Sequence, residues 1–312
     1  MKVFVTGGTG FTGSYVVPLL LKNGYEVRCL YRSGSDRSVL RLSSGSTHDT
    51  CPGTPHSGAR YQGVPVFVRE EEVEWALGDL SDSRSLSASM RGTDALVNIV
   101  SLGFGHADAI LRAAKEAGIR RAVFISTTAI FTQLNAQSKT VRLAAEAAIE
   151  NSGLQYTILR PTMIYGSPRD RNMWRLIRFI RYSPVVPVFG DGSYLQQPIY
   201  VGDVAQAIVS CLCNDQTIGK SYNIAGKAPL TYNQVIDTIG RLMHRRIWKV
   251  HIPSMPVVSL LKFLEHVHIP FPIKAEQVMR LNENKNFSYE EAQQDFGFDP
   301  LSFEEGIGLE LR

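Results

Sequence analysis

Apolar runs alternate with amphipathic stretches through the first half of the chain, and this alternation predicts strands separated by helices. Strands are predicted where apolar residues are continuous, at Val3–Thr6, Glu26–Tyr31, Val73–Leu77, Asp94–Val100, Arg121–Ser126 and Tyr156–Arg160. Helices are predicted where apolar residues recur with helical spacing, at Phe11–Asn23, Ala107–Ala117 and Lys139–Asn151. This order indicates an α/β fold with a doubly wound parallel sheet that is covered by helices on both faces.

The pattern breaks between residues 33 and 72, where Ser, Gly, Thr, Pro and Arg are frequent and only residues 64–68 form an apolar island. A loop of this length inside a compact domain is usually functional or disordered. We expect it to be mobile without a ligand or to form a small flap.

A glycine-rich turn, TGGTGFTG at residues 6–13, lies between the first predicted strand and the first predicted helix. Glycines let the backbone approach a pyrophosphate, and the helix start presents free N–H groups and a positive dipole end. This context favours a dinucleotide site over an empty glycine-rich turn. The residues of the turn that we expect to contact the cofactor are Thr6, Gly7, Thr9, Gly10, Phe11, Thr12 and Gly13.

The end of the second strand indicates which dinucleotide is bound. An acidic residue there would bond the ribose 2′-hydroxyl, whereas an arginine accommodates a 2′-phosphate. This chain has Arg32 and Ser33 at that point, so NADP is predicted and NAD is the second choice. The alternatives are that Arg32 is a solvated charge at the strand end, or that it stacks on adenine in an NAD enzyme.

The alternation loosens after Pro161, and prolines divide the second half of the chain into shorter pieces. Residues 1–166 are therefore predicted to form a Rossmann-type dinucleotide-binding domain. Residues 167–312 are predicted to be mostly a smaller C-terminal substrate-binding lobe, with some segments returning to the main sheet.

Composition narrows the function classes. The 312 residues are 44% apolar and 20% charged, with a formal net charge of +4, which falls short of the clustered charge of a nucleic-acid binder. No apolar run is long enough for a transmembrane segment, and the first strand leaves no room for a signal peptide ahead of it. The four cysteines are predicted to be isolated thiols with no metal site, so we expect a cytoplasmic protein.

Further motifs resemble the extended short-chain dehydrogenases/reductases, the superfamily of NAD-dependent epimerases and dehydratases. The resemblance covers nearly the whole chain and includes GDLSD at 78–82, VFISTTAIF at 123–131, LRPTMIYG at 159–166 and the segment 189–208. It implies that Asp79 and Leu80 lie near adenine and that Thr128 is the catalytic hydroxyl. It also implies that the strand and loop containing Pro161 close over the nicotinamide. The segment VNIVS at 97–101 departs from the His-x-Ala segment that the family usually has beside the cofactor, and places Asn98 and Ser101 there.

The sequence departs from this family at its catalytic tyrosine. The family places a Tyr four residues before a Lys on one helix face; Lys139 fits the Lys, but Asn135 stands in place of the Tyr. An amide cannot act as a phenolate base, and losing a general acid or base typically costs ~10²–10⁴-fold in rate. Gln196 is a second departure, because sugar epimerases carry there an arginine that grips the substrate diphosphate.

Other residues are candidates for a replacement base or for contacts with the substrate. Tyr165 and Tyr156 are predicted to be structural, and His106 to start a helix. The segment 169–182 predicts an amphipathic helix whose basic face is either solvated or grips a phosphorylated or acidic ligand, with Arg171 and Asn172 as candidate substrate contacts. The apolar segment 256–273 favours substrate-lobe core over docking to a membrane surface or protein partner, and homodimerisation is left open.

Two hypotheses from different classes follow. The first is an NAD(P)-dependent epimerase, dehydratase or reductase with an NxxxK site, acting on a small carbonyl or nucleotide-sugar substrate. The second is an NADPH-binding structural or regulatory protein without turnover, resembling the accessory subunit of respiratory complex I.

Overall fold

The computed structural model describes residues 1–37, 72–134, 136–269 and 274–311. The strands are β1 Lys2–Thr6, β2 Glu26–Tyr31, β3 Val73–Leu77, β4 Ala95–Asn98, β5 Arg121–Ile125, β6 Gln155–Pro161, β7 Ile164–Tyr165, β8 Val185–Phe189, β9 Leu195–Gln196, β10 Ile199–Tyr200, β11 Lys220–Ile224, β12 Leu230–Thr231 and β13 Trp248–Ile252. The helices are α1 Gly13–Lys22, α2 Ser83–Met90, α3 Ala107–Glu116, α4 Gln137–Glu150, α5 Met173–Tyr182, α6 Val201–Leu212, α7 Tyr232–Leu242, α8 Ser254–His266, α9 Ala275–Leu281, α10 Glu290–Phe296 and α11 Phe303–Glu310.

The central sheet has seven strands in the order β11-β6-β5-β4-β1-β2-β3, and every pair in it is parallel. The chain runs outward from β1 to β3 and then returns to the other side of β1 at β4. This reversal makes the carboxyl edge between β1 and β4 a topological switch point, where ligands of such sheets bind. The fold is therefore the predicted Rossmann-type α/β fold.

Both faces of the sheet are covered. One layer contains α1 and α6, whose residues Val16, Leu20 and Ile208 are fully buried in one core cluster. The opposite layer contains α2, α3 and α4, which bury Leu86, Ile110 and Ile149. Burial on both faces explains why the strands show continuous apolar runs rather than alternation.

In the first half of the chain the predicted elements are present with shifted ends, and helix α2 was not predicted. β2 and β3 have the predicted bounds, whereas α1 begins at Gly13 rather than Phe11 and α4 begins at Gln137 rather than Lys139. Half of the residues of helix α2 are serine and it has few apolar residues, so its sequence shows no clear helical periodicity. Its start has a clear physical cause, because the Asp82 carboxylate accepts hydrogen bonds from the backbone N–H groups of Arg84 and Ser85.

The second half of the chain contributes to both parts of the molecule. β11 pairs with β6 at the edge of the main sheet, and α6 packs on α1. Another core cluster joins α5, α7 and α11 through Ile177, Ile236 and Ile307. The boundary predicted at residue 166 stays a prediction.

The core interpretation of residues 256–273 is wrong for much of its described part. Val258 and Leu261 of α8 are buried against α9, but Leu260, Phe263 and Val267 are exposed. These three lie three or four residues apart, so they share one exposed face.

Most of the predicted loop at 33–72 lies outside the described residues, including its apolar island at 64–68.

Within the part of the chain that the structure describes, none of the helices has the length and apolar character needed to cross a bilayer.

Candidate functional site

The glycine turn lies at the switch point, directly after β1. Gly7 has a positive φ of 77°, which a side chain would strain. A Cβ at Gly13 would overlap the carbonyl oxygen of Gly7 and come within 2.5 Å of the Gly8 oxygen. A Cβ at Gly8 would lie 2.7 Å from the Cys29 sulfur. The tight turn therefore depends on these glycines, and its shape fits a pyrophosphate at the start of α1.

Buried hydrogen bonds hold the base of this turn. The Thr6 hydroxyl donates to the Asn98 side-chain oxygen at 2.6 Å, and the Asn98 amide donates to the Val100 carbonyl at 3.0 Å. Both Thr6 and Asn98 are completely buried, which favours a role in ordering the turn over direct contact with a ligand. Ser101 accepts the N–H of Gly103 and starts the short 3-10 turn Leu102–Phe104.

The predicted adenine side lies at the ends of β2 and β3. Arg32 and Ser33 are exposed after β2, and Leu80 is buried after β3. The Asp79 carboxylate accepts hydrogen bonds from the Ser81 N–H and hydroxyl at 2.8 and 2.7 Å. These bonds, helped by the positive charge of Arg32 and the neighbouring His106, lower the pKa of Asp79. Arg32 and Asp79 therefore lie on the same side of the sheet, and their contact with adenosine stays a prediction.

The candidate catalytic hydroxyl lies at the end of β5. Thr128 is buried and donates to the Pro161 carbonyl at 3.3 Å, so this interaction brings the two predicted site residues together. The Ser126 hydroxyl is buried without a hydrogen-bond partner among the described residues. An unsatisfied hydroxyl at the carboxyl edge of the sheet is the kind of group that a bound ligand would satisfy.

Lys139 lies in the first turn of α4, and its ammonium donates to the Thr132 carbonyl at 2.6 Å. The Thr132 hydroxyl in turn donates to the Glu283 carboxylate at 2.7 Å. Glu283 also accepts the N–H of Gln133 at 2.9 Å. A segment distant in sequence therefore fixes the chain between β5 and α4. Asn135 lies outside the described residues, so its role stays a prediction.

Gln196 is buried rather than open to a cleft. Its amide nitrogen is 3.5 Å from the Glu283 carbonyl, and its oxygen accepts a hydrogen bond from the Lys285 ammonium at 3.2 Å. Burial lowers the pKa of Lys285 to about 8. Lys285 could not be predicted from sequence, because only the folded chain brings its positive charge beside Gln196.

The predicted substrate contacts Arg171 and Asn172 are exposed at the start of α5. The sequence analysis missed their neighbour Arg169, whose guanidinium donates to the Thr9 carbonyl of the glycine turn at 3.0 Å. It thus brings a positive charge from the loop after β7 to the pyrophosphate side of the site. The basic pattern at 169–182 was the available signal, but it was interpreted as one helix. Arg169 lies in the loop before that helix, because α5 begins at Met173.

The alternative bases are poorly placed. Tyr165 is fully buried, and burial raises the pKa of its hydroxyl well above the ordinary value. The Tyr156 hydroxyl donates to the Gly219 carbonyl, beyond the amino end of β11. His106 is the residue that precedes α3, in agreement with its predicted helix-start position.

The fold and the glycine cradle define a dinucleotide-binding Rossmann protein. Residues 62–215 match the NAD(P)H-binding family, and residues 3–109 match the NAD dependent epimerase/dehydratase family. These matches agree with the predicted resemblance to the extended short-chain dehydrogenases/reductases.

Individual relatives are distant. The chain is 27% identical over 296 residues to NADH dehydrogenase [ubiquinone] 1 alpha subcomplex subunit 9, mitochondrial, of Arabidopsis thaliana, covering 89% of this chain and 67% of the relative. It is 28% identical over 229 residues to the ceramide reductase of Caulobacter vibrioides, covering 70% of this chain and 62% of the relative. The chain thus spans about two thirds of the length of these curated relatives.

Among solved structures, the Thermus thermophilus UDP-glucose 4-epimerase complex with NAD has the same fold. The TM-score is 0.70 at 20% identity, with 99% of this chain and 97% of that chain covered.

Proposed function

We propose that this protein holds NADPH at the β1–β4 switch point and that its tyrosine-dependent turnover is absent or very slow. One contrast carries the proposal. The glycine turn has the close backbone packing of a pyrophosphate site, with no room for a Cβ at Gly13, while the residue four positions before Lys139 is an asparagine. Cofactor binding depends on the turn, whereas proton transfer depends on the missing phenol.

In this proposal each polar group has a binding role. The glycine turn and Arg169 hold the pyrophosphate, Arg32 the 2′-phosphate, and Lys139 the nicotinamide ribose. The bound nicotinamide would supply a hydride donor or acceptor. Thr128 and Asn135 can hydrogen-bond a carbonyl oxygen, but neither has a proton whose pKa suits transfer near neutral pH.

The Arabidopsis relative supports the holding role, because its name describes a subunit of an NADH dehydrogenase. By analogy, this chain would contribute a bound nucleotide to an assembly rather than act alone. That relative is also named as mitochondrial, so a cytoplasmic location stays a prediction.

The second candidate is a reductase or epimerase for a carbonyl or nucleotide-sugar substrate, with a modified proton relay through Thr128 and Lys139. The name of the Caulobacter relative, ceramide reductase, favours it. So does Lys285, since it places a cation beside Gln196, where epimerases of this family use an arginine.

The deciding experiment compares Asn135→Tyr, Asn135→Ala and the unmodified protein, using NADPH with a panel of carbonyl compounds and nucleotide sugars. We expect tight NADPH binding by all three and measurable turnover only by Asn135→Tyr. Gln137→Tyr is the matched control, because it adds a phenol two residues away in the first turn of α4. Fast turnover by the unmodified protein, unchanged in Asn135→Ala, would refute the holding role and favour the second candidate.

A further inference from the structure

A pair of strands in the C-terminal lobe has an exposed apolar face. β8 and β13 pair in parallel, with Trp248 opposite Val185 and Val250 opposite Pro187. Alternate residues of β8, Val186 and Val188, point into the core. On the other face the exposed fractions are 70% for Trp248, 42% for Val185 and 48% for Val250. This face therefore presents a large aromatic ring and branched aliphatic side chains to the outside.

An aromatic residue and arginines adjoin this face. Tyr182 ends α5 just before β8 and is 77% exposed. Arg245 donates through its guanidinium to the Arg181 carbonyl, which joins the end of α5 to the segment before β13. Arg246 is exposed two residues before Trp248. We call this set the aromatic–arginine patch; its members are Arg181, Tyr182, Val185, Arg245, Arg246, Trp248 and Val250.

The two segments that build the patch carry a large excess of positive charge. These segments, residues 169–189 and 241–252, contain nine Arg or Lys residues and a single acid, Asp170. Asp170 is buried, so it does not offset the surface charge. Arg241 and Lys249 pair with Glu304 and Asp237, which leaves the excess positive charge on the arginines of α5 and of the patch.

We propose that the aromatic–arginine patch docks this protein on an anionic membrane surface. Trp and Tyr have an apolar ring with a polar group and are favoured at the level of lipid headgroups. The valines would insert just below that level, while the arginines would meet lipid phosphates. The proposal concerns a surface and does not depend on turnover or on the choice of cofactor.

Other occupants fit the patch less well. A second copy of the chain would bring arginines opposite arginines, which opposes self-association. A nucleic acid would satisfy the arginines and the aromatic rings but would gain little from Val185 and Val250. Helix α8, which begins two residues after β13, also exposes Leu260 and Phe263, so the apolar surface of this lobe extends beyond the patch.

The test is co-sedimentation of the full chain with phosphatidylcholine vesicles that contain either no anionic lipid or about 30% phosphatidylglycerol, which supplies a negative surface potential. We expect partitioning only onto the anionic vesicles, with affinity falling as salt is raised. The variant Tyr182→Ser with Trp248→Ser should weaken partitioning at least about tenfold. Arg246→Glu should weaken it roughly fivefold or more.

Matched controls are Leu143→Ser, an exposed apolar residue of α4, and Arg120→Glu, an exposed arginine before β5. Both should partition like the unmodified protein, and unchanged circular dichroism and thermal unfolding should show that every variant is folded. Equal partitioning of the patch variants and the controls would overturn the proposal. So would binding to neither kind of vesicle, or tighter binding to a single-stranded oligonucleotide than to anionic vesicles.

Discussion

Two regions along the carboxyl edge of the sheet differ in how their polar groups are used. Around β1, β2 and β4, the backbone turn is built on glycines, and Arg32, Asp79 and Arg169 are exposed beside it. Around β5 and α4, polar groups are bonded to one another: Lys139 to the Thr132 carbonyl, Thr132 to Glu283 and Thr128 to the Pro161 carbonyl. The first region exposes charged side chains at its surface, whereas in the second these three side chains are bonded to other protein groups and the buried Ser126 hydroxyl has no partner among the described residues.

This difference shows that dinucleotide binding and proton transfer depend on separable features. Binding relies on backbone shape, so it tolerates changes of side chain elsewhere. Proton transfer relies on one side chain with a suitable pKa, so a single replacement removes it. A chain can therefore keep the first property while it lacks the second.

The largest expected effect is in the cofactor region, from Gly13→Ala. The added Cβ would overlap the Gly7 carbonyl, so the turn must shift. Backbone strain of about 1–3 kcal/mol corresponds to roughly a 10- to 100-fold increase in the Kd for NADPH. Fluorescence titration measures it, and Gly308→Ala is the control because its Cβ would meet open space. Unchanged affinity in folded Gly13→Ala would mean that the turn is not the pyrophosphate site.

Most of the candidate cofactor region could be proposed from sequence because its determinants are local, whereas Arg169 reaches the Thr9 carbonyl across 160 positions and could not. The glycine turn, the strand before it and Arg32 lie within 32 consecutive residues, and each has a characteristic local pattern. The contacts around β5 and α4 could not be predicted in the same way, because their partners are distant in sequence. Glu283 contacts Thr132 across 151 positions, and Lys285 reaches Gln196 across 89. Nothing in the local sequence of either residue indicates its partner.

The next prediction separates the phosphate sites within the cofactor region. If Arg32 holds the 2′-phosphate, Arg32→Asp should raise the Kd for NADPH roughly 30-fold or more by removing a charge-assisted contact and adding repulsion. The Kd for NADH should change little, so the preference reverses. Arg120→Asp is the charge-matched control at the opposite edge of the sheet. Tighter binding of NADH than NADPH by the unmodified protein would refute the NADP assignment.

A smaller effect is expected for Arg169, which carries charge from the loop after β7 to the glycine turn. Arg169→Ala should weaken NADH and NADPH equally, by about tenfold, because the pyrophosphate is common to both. Binding of ADP-ribose should weaken to the same extent. The control is Arg175→Ala, an exposed arginine of α5, which should leave the affinities for NADH, NADPH and ADP-ribose unchanged. A loss confined to NADPH would place Arg169 at the 2′-phosphate instead.

The smallest expected effect concerns a buried carboxyl pair next to Arg169. Burial, followed by the nearby Asp170, raises the pKa of Glu310 from 4.5 to about 8. Asp170 also accepts the N–H groups of Asn172 and Trp174, so the pair joins α11 to the start of α5.

Because the folded chain holds a proton that the unfolded chain has released, the free energy of unfolding should fall as pH rises from 6 to 8, on the order of 1 kcal/mol. Urea unfolding measures this decline, which Glu310→Gln should abolish, because Gln does not titrate yet can still donate to Asp170. Glu290→Gln, on α10, should retain it. Parallel pH profiles for Glu310→Gln and the unmodified protein would show that Glu310 is already ionised in the folded state.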